Sequence, residues 1–228
     1  MSLVIAIEGT DASGKKTQSD LLAQAVRKMG LEVTELSFPD YDSPSSALVK
    51  MYLGGDFGSN PEDTGAYAAS SFFAVDRYAS FKMNWEKVYN DSKSVIILNR
   101  YTTSNAVHQL AKIEDDAQKD AFLGWLYDFE FVKLGLPVPD GVFYLDMPLE
   151  ASVKLLEARS EQTGVKKDIH EADTSHLAKA RRAGAYVTKK WGWIRIACGE
   201  GDKPFSREYI HEQVLENVKR LLKNKGIV

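Results

Sequence analysis

The segment that most constrains this chain lies at its start, where an apolar run meets a glycine-rich stretch, "LVIAIEGTDASGKKTQ". The run at residues 3–8 has the near-continuous hydrophobicity of a strand buried on both faces. Gly9, Gly14 and Lys15 then fit the spacing G-x-x-x-x-G-K of a phosphate-binding loop. One apolar stripe marks the helix that follows: Leu21, Leu22, Ala25, Val26 and Met29. A strand, a glycine loop and a helix in this order predict an α/β fold.

The rest of the chain repeats this alternation of short apolar runs and longer amphipathic stretches. Runs typical of buried strands lie at residues 3–8, 32–38, 94–98, 141–146 and 193–198. Helical periodicity marks residues 45–53, 61–89, 102–113, 115–134, 149–159 and 209–222. The pattern predicts a five-stranded parallel sheet flanked by helices, in one domain that spans residues 1–228.

Composition and charge argue against several classes of protein. Of 228 residues, 44% are hydrophobic and 27% are charged, which is typical of a folded globular chain. The net charge of −3 argues against a broad nucleic-acid surface, so an anionic ligand must meet local basic groups. The single Cys198 cannot form an internal disulfide, and no apolar run reaches the roughly 18 residues of a membrane span. We expect a soluble cytoplasmic protein with no nucleic-acid or membrane partner.

One polar segment, residues 159–175, interrupts the pattern with "RSEQTGVKKDIHEADTS". It has almost no apolar side chain to anchor it. A solvated surface loop explains this composition, and so does a mobile lid, because mobile loops bury little apolar surface. Composition alone leaves both interpretations open.

The glycine loop carries its own chemistry. Glycines permit backbone conformations in which successive N–H groups converge on a phosphate, and Lys15 adds a point charge. Asp11 is an unusual anion in such a loop, and it either faces solvent or accepts a hydrogen bond from a hydroxyl of a second substrate. Lys16 stands where a Ser or Thr hydroxyl normally binds a metal ion. This departure leaves the metal chemistry of the loop open.

Seven stretches in a fixed order resemble the thymidylate kinases, nucleoside monophosphate kinases with the P-loop NTPase fold. They are "EGTDASGKKTQ", "FPDY", "FFAVDRY", "NRYTTSNAV", "GLPVPD", "FYLD" and "KDIHEAD", in an order that extends to about residue 200. The resemblance implies phosphoryl transfer from ATP to dTMP, with Mg²⁺ as the cofactor of ATP, a homodimer, and a lid at about residues 159–175. ATP would lie on the loop, at Gly9, Ala12, Ser13, Gly14, Lys15, Lys16 and Thr17.

The same resemblance assigns the dTMP site. Phe73 would stack on the thymine ring, as suits a flat neutral base, with core packing as the alternative. Arg77 lies one helical turn further and would reach either the base or the phosphate. Arg100, at the carboxyl end of a predicted strand, would hold the monophosphate. Asp11 would accept a hydrogen bond from the 3′-hydroxyl of the sugar.

Residues further along the chain complete the implied dTMP site. Ser104 and Asn105 would lie near the thymine edge, where a carboxamide can donate and accept hydrogen bonds. The alternative is that Asn105 only starts a helix and does not contact the base. Tyr101 would pack beside the sugar or serve the core alone. His108 and Gln109 have no partner in this arrangement and are assigned to structure.

Phosphoryl transfer depends on positive charge around the transferred group. Lys15 and Arg100 supply part of that charge, and the resemblance implies an arginine from either the loop or the lid. The loop contains none, so the lid is expected to supply it. Arg159 is the best match, with Lys166 and Lys167 as alternatives.

Three positions depart from the family pattern. Lys16 replaces a Ser or Thr, Asn99 replaces an aspartate before Arg100, and Tyr41 replaces an arginine. The first two concern Mg²⁺, because Asn99 offers only an oxygen that can accept from a metal-bound water. We expect ATP and water to hold Mg²⁺, with Lys16 turned toward a carboxylate or solvent. A related nucleoside or nucleotide kinase and a regulator without catalysis are the alternatives to a dTMP kinase.

Overall fold

The computed structural model describes residues 1–91, 93–163 and 174–228. Five strands form one sheet in which neighbouring strands are parallel. In chain order they are β1 (Leu3–Gly9), β2 (Glu32–Ser37), β3 (Ser94–Asn99), β4 (Gly141–Asp146) and β5 (Ile194–Ala197). Their spatial order is β2-β3-β1-β4-β5, so β1 lies in the centre. The predicted five-stranded parallel sheet is confirmed.

Helices flank this sheet. In chain order they are α1 (Lys15–Lys28), α2 (Ala47–Gly54), α3 (Ala66–Ser80), α4 (Glu86–Asn90), α5 (Thr102–His108), α6 (Asp116–Tyr127), α7 (Leu149–Thr163), α8 (Thr174–Trp191) and α9 (Arg207–Asn224). A two-stranded hairpin, β6 (Gly199–Glu200) and β7 (Lys203–Pro204), follows β5. In the part of the chain that the structure describes, no helix has the length and apolar character to cross a membrane.

The central strand β1 is apolar along most of its length because it is buried on both faces. On one face it packs against α1 and α9, in a cluster that includes Ile5, Leu22 and Val218. On the other face Ala6 lies in a cluster with Trp85. Such burial stabilises the fold by roughly 25 cal/mol per Å² of apolar surface. It also fixes the carboxyl end of β1, and with it the start of the glycine loop, at one edge of the sheet.

The long helices predicted at residues 61–89 and 115–134 are interrupted by π-helical segments. Phe81–Trp85 lies between α3 and α4, and Asp128–Lys133 follows α6. Such π-helical turns are rare and recur at functional sites. Hydrophobic periodicity does not reveal them, because the residues on either side keep helical spacing.

The polar segment predicted as one loop or lid at residues 159–175 is helical at both ends. Residues 159–163 continue α7, and residues 174–175 begin α8. The loop interpretation is therefore wrong at these two ends, because Glu, Gln and Arg favour helix even without apolar anchors, and the lid stays a prediction. The centre of the predicted lid, residues 164–173, lies outside the described residues.

Helix α8 has no counterpart among the predicted helices. Its buried residues Leu177, Ala180, Ala183 and Val187 recur at intervals of three and four, as expected for one face of a helix. Two of the four are alanines, so the apolar stripe is weak in the sequence. In the structure α8 packs against α5 and holds it beside the sheet.

Candidate active site

The loop after β1 has the backbone that its glycines predict. Gly9 and Gly14 have φ angles of 152° and 89°, in the region that favours glycine. A Cβ on Gly9 would lie 2.5 Å from Ser13 Oγ and 2.8 Å from Leu145 O, so a larger residue does not fit. Gly14 precedes α1, whose N-terminal N–H groups favour an anion. The loop is therefore shaped to receive a phosphate.

Lys15 lies folded back along this loop. Its Nζ donates to Gly9 O at 3.0 Å and to Thr10 O at 2.7 Å, and it lies 3.9 Å from Asp11 Oδ1. A charge-assisted hydrogen bond to a phosphate oxygen is stronger than one to a neutral carbonyl. Lys15 is thus placed to exchange these carbonyls for a phosphate that enters the loop.

An open cleft, here called the loop cleft, extends from the glycine loop. The loop residues from Asp11 to Gln18 form one side of it. The predicted ATP residues other than Gly9 line this side. The other residues that line the cleft are Asn99, Arg100, Met147, Leu155, Pro204, Phe205, Arg207 and Ile210. The sequence does not point to Phe205 and Arg207, because only the hairpin after β5 brings that ring and that cation to the loop.

A second cavity, here called the side cavity, contains all the residues predicted for dTMP. Its lining is Asp11, Phe38, Pro39, Tyr41, Leu53, Phe73, Arg77, Arg100, Tyr101, Ser104, Asn105, His108 and Gln109. The side cavity and the loop cleft share Asp11 and Arg100. Two ligands in these two compartments would therefore meet at Arg100.

Arg100 has a strained backbone conformation. Its φ is 67°, in the left-handed region that favours glycine. Its N–H donates to Ile7 O at 3.2 Å, and the next N–H, that of Tyr101, donates to Glu8 Oε1 at 3.0 Å. Strand β1 therefore holds the peptide groups on both sides of Arg100.

Glu8 also organises the start of α5. Its fully buried carboxylate accepts hydrogen bonds from the hydroxyls of Thr103 at 2.6 Å and Ser104 at 2.9 Å. Burial raises the pKa of Glu8, while the Thr103 hydroxyl and the charge of Arg100 oppose this rise. Because Ser104 donates its proton to Glu8, its hydroxyl can meet the thymine edge only as an acceptor.

Two residues that the sequence assigned to structure, His108 and Gln109, also line the side cavity. Arg100 Nη1 lies 3.0 Å from Nε2 of His108, and Arg100 Nη2 pairs with Asp11. The His108 ring stacks on His176 of α8, with centroids 6.1 Å apart. His108 and Gln109 both line the cavity, so they can contact a ligand there in addition to the structural role that the sequence gave them. They lie one helical turn after the residues predicted at the thymine edge, and that spacing was the available signal.

Arg77 forms a buried ion pair that the sequence does not reveal. Its Nε and Nη2 donate to the two carboxylate oxygens of Glu130 at 2.7 and 2.5 Å. The side chains are 1% and 0% exposed. Arg77 also lines the side cavity, so one guanidinium faces both a fixed carboxylate and the cavity.

The structure separates the roles of two adjacent phenylalanines. Phe73 lines the side cavity and contacts the edge of Tyr52, with ring centroids 6.1 Å apart. Phe72 does not line the cavity and packs against Tyr52 and Phe57 instead. The ring available to a ligand is therefore that of Phe73.

Tyr101 is a core residue. Its side chain is fully buried, its hydroxyl donates to Pro137 O at 3.0 Å, and its ring packs against Phe38, Trp85 and Phe131. Of the two roles open to it in the sequence, the structure supports the structural one.

The two unusual positions of the metal shell lie at the loop cleft. Lys16 Nζ lies 2.5 Å from Asp20 Oδ1, which confirms the prediction that it turns toward a carboxylate. Asn99 Nδ2 donates to Ser37 Oγ at 3.0 Å, and its buried Oδ1 has no hydrogen-bond partner among the described residues. The described residues also contain no group of three His, Cys, Asp or Glu side chains that could hold a metal ion.

The predicted transfer arginine lies next to the region that the structure does not describe. The backbone of Arg159 belongs to α7. Its side chain, together with the alternatives Lys166 and Lys167, lies outside the described residues. The assignment of this role stays a prediction.

The fold and site define a class of enzyme. A parallel sheet whose central strand leads into a phosphate-binding loop is typical of P-loop nucleotide-binding proteins. A second cavity that shares an arginine with the loop cleft adds room for a phosphate acceptor. Together these features describe a P-loop nucleotide kinase.

Comparison with known proteins specifies the family. The profile of the family described as thymidylate kinase matches residues 7–196. Thymidylate kinase from Mycobacterium tuberculosis is 32% identical over 199 residues, which cover 85% of this chain and 91% of that relative. A probable thymidylate kinase from Thermococcus gammatolerans is 32% identical over 167 residues, which cover 72% and 74%. The chain belongs to the thymidylate kinase family, as its resemblance predicted.

A solved structure supports the fold independently. Thymidylate kinase from Candida albicans superimposes with a TM-score of 0.67 over 98% of this chain and 93% of that one. The sequence identity in this comparison is 22%, so the similarity concerns the fold.

Proposed function

We infer that this protein transfers the γ-phosphoryl group of ATP to dTMP and releases dTDP and ADP. The observation that carries this inference is the sharing of Asp11 and Arg100 by the loop cleft and the side cavity. A nucleoside triphosphate on the loop and a monophosphate in the side cavity would meet at Arg100. In-line transfer needs this juxtaposition, together with positive charge around the transferred group.

A coupled assay of ADP release tests the inference. With ATP and Mg²⁺ present, dTMP should be turned over, and dUMP, dCMP and thymidine serve as comparison substrates. Turnover of thymidine alone would favour a nucleoside kinase. Absence of turnover at every Mg²⁺ concentration would favour a nucleotide-binding regulator.

In the proposed dTMP site, each of four side chains has its own role. Phe73 stacks on the thymine ring, and Arg100 binds the monophosphate. Asp11 orients Arg100 through their ion pair and accepts a hydrogen bond from the 3′-hydroxyl of the sugar. Arg77 serves the base rather than the phosphate, because Glu130 already neutralises its charge.

Magnesium is the proposed cofactor of ATP. The Oδ1 of Asn99 at the loop cleft, which has no hydrogen-bond partner in the described part of the chain, is the observation that fits it, since this oxygen can accept a hydrogen bond from a metal-bound water. Nucleotide-bound Mg²⁺ usually keeps several waters, and when bound it neutralises charge on the phosphates. Lys16, turned to Asp20, adds no ligand.

The positive charge for transfer is proposed to come from three side chains. Lys15 leaves its carbonyl partners for the outer phosphates of ATP, and Arg100 contacts the acceptor phosphate. Arg159 is the proposed third cation. Together they stabilise the charge that spreads over the transferred group.

Phe73→Ala is expected to weaken dTMP binding by about 1–3 kcal/mol, or roughly 5- to 150-fold in Kd, because the stacking surface is lost. ATP binding should stay unchanged. Isothermal titration with each nucleotide measures both. Phe72→Ala is the matched control, since its ring lies outside the cavity. Loss of thermal stability without loss of dTMP affinity in Phe73→Ala would make Phe73 a core residue.

Lys16→Thr and Asn99→Asp are each expected to lower the Mg²⁺ concentration that gives half-maximal turnover. Threonine adds a hydroxyl ligand, and aspartate adds a charge for the metal-bound waters. Lys16→Met is the control, because it removes the positive charge without adding a ligand. If neither Lys16→Thr nor Asn99→Asp changes the Mg²⁺ requirement, other groups hold the ion.

A homodimer is proposed through the helices at residues 45–89 and 102–131. Exposed apolar side chains on α3 and the π segment after it support this, with Val75 45%, Tyr78 40% and Met83 79% exposed. Light scattering should give twice the mass of the chain, and Met83→Glu should shift it toward the monomer. Tyr209→Glu, on α9, is the control. A monomeric wild type would contradict the proposal.

The proposal treats residues 1–228 as one kinase domain that acts in the cytoplasm. The five strands share one sheet, which supports the first statement. The reduced, buried thiol of Cys198 is compatible with a reducing compartment and supports the second.

A further inference from the structure

The carboxylate of Glu130 is the centre of a buried polar network that the phosphate chemistry does not use. Glu130 lies in the π-helical segment Asp128–Lys133 and is fully buried. It accepts hydrogen bonds from Arg77 at 2.7 and 2.5 Å, from Thr102 Oγ1 at 2.6 Å and from Asn105 Nδ2 at 3.4 Å. Glu130 lines neither compartment, whereas Arg77 and Asn105 both line the side cavity.

This network fixes the orientation of the Asn105 amide. Besides Glu130, the Nδ2 atom faces Ser70 O at 3.3 Å. A carboxylate and a backbone carbonyl can only accept hydrogen bonds, so the amide nitrogen must face them and the amide oxygen must face away. The group that Asn105 can offer to a base is therefore its Oδ1, an acceptor.

Arg77 brings the opposite hydrogen-bonding character. A guanidinium has only donors. On this one Glu130 accepts from Nε and Nη2, and Nη1 donates to Tyr101 O at 3.4 Å and keeps a second N–H. Glu130 thus holds a donor and an acceptor at the same cavity. On thymine and uracil the adjacent O4 and N3–H groups present an acceptor and a donor, which match this pair. Cytosine presents an amino donor and an N3 acceptor, which are mismatched at both positions.

We propose that Glu130 is a positioning residue that makes the acceptor site selective for thymine and uracil over cytosine, by fixing Arg77 and the amide of Asn105. This proposal rests on the placement of dTMP in the side cavity. Reversing the Asn105 amide would place its oxygen against the carboxylate of Glu130, and two acceptors that face each other repel. Glu130 would thus determine the selectivity for the base without contacting the base itself.

The test compares kcat/KM for dTMP, dUMP and dCMP in wild type and Glu130→Gln. Wild type should prefer dTMP and dUMP over dCMP by about 100-fold or more, since the wrong base leaves buried polar groups unpaired. A glutamine can donate to Asn105 as well as accept from it, so in this variant Ser70 O alone opposes the reversed amide. The ratio of dTMP to dCMP should therefore fall by about tenfold, the value of one hydrogen bond. A purely structural role would lower all three values and leave the ratio unchanged.

Two further variants keep the test decisive. Thr102→Val removes another hydrogen bond from Glu130 and leaves its contact with Asn105, so it should keep the wild-type ratio. Glu130→Asp keeps the charge opposite Arg77 if Glu130→Gln does not fold. It draws the carboxylate back by one methylene, and the 3.4 Å contact with Asn105 should be lost first.

The outcomes distinguish this proposal from the function on which it rests. A wild type that discriminates against dCMP, with an unchanged ratio in a folded Glu130 variant, would overturn the role of Glu130 alone. A wild type that does not phosphorylate dTMP would overturn both. A fall in the ratio in Glu130→Gln or Glu130→Asp, with the wild-type ratio kept in Thr102→Val, supports the proposal.

Discussion

Arg100→Met is expected to lower kcat/KM for dTMP by about 10²- to 10³-fold, the effect of removing one charge partner from the transferred group. Arg100 lines both the loop cleft and the side cavity, so monophosphate binding and transfer lose the same cation. The KM for ATP should change little, because the glycine loop and Lys15 are untouched. Steady-state kinetics with each substrate varied in turn measure both effects.

Arg27→Met is the matched control for this loss of a guanidinium. Arg27 lies in the last turn of α1, where it forms a half-exposed ion pair with Glu35 at 2.8 Å. Its replacement should leave the kinetics at wild-type values. An unchanged kcat/KM in Arg100→Met would exclude Arg100 from the monophosphate site.

Arg77→Met is expected to lower the free energy of unfolding by about 3–5 kcal/mol, because it leaves the carboxylate of Glu130 buried without its cation. Denaturant unfolding followed by circular dichroism measures this loss. The double variant Arg77→Met/Glu130→Gln should recover most of it, since no unpaired charge is then buried. Additive losses in the double variant would show that the two side chains contribute independently.

Arg27→Met also serves as the control for the stability measurement. The Arg27–Glu35 pair is partly exposed, and the loss of such a pair changes the free energy of unfolding by about 1 kcal/mol or less. The difference between the stability losses of Arg77→Met and Arg27→Met measures the effect of burial on the cost of breaking an ion pair. A similar effect in Arg77→Met and Arg27→Met would contradict the buried ion pair.

The features that could be predicted from the sequence depend on local patterns. Strand β1 and the glycine loop combine a continuous apolar run with fixed glycine spacing, and both signals survive in any tertiary context. The outward turn of Lys16 was predictable because a carboxylate, Asp20, lies one helical turn further on α1. The seven side-cavity residues predicted for dTMP followed from several motifs in a fixed order rather than from any single motif.

The features that escaped prediction depend on tertiary contacts. Glu130 lies 53 positions from Arg77, and nothing in the local sequence marks it as the partner of that arginine. The π-helical turn that contains Glu130 has the same hydrophobic spacing in the sequence as an ordinary helix. The role of His108 depends on Arg100 and on His176 of α8, a helix whose alanine-rich stripe is itself weak. Contacts between distant elements leave no periodic signal in the chain.

The hydrogen bonds of β1 have a consequence for how accurately the two reactants are aligned. Glu8 holds the start of α5 and the peptide after Arg100, and the adjacent Gly9 opens the glycine loop. Neighbouring residues of one buried strand therefore set the separation between the triphosphate and its acceptor. We expect this separation to depend on the position of β1 more than on the positions of the surrounding helices. Since an error of about 1 Å in such a separation can slow a reaction about 10²-fold, substitutions that displace β1 should lower the reaction rate more than substitutions in the outer helices.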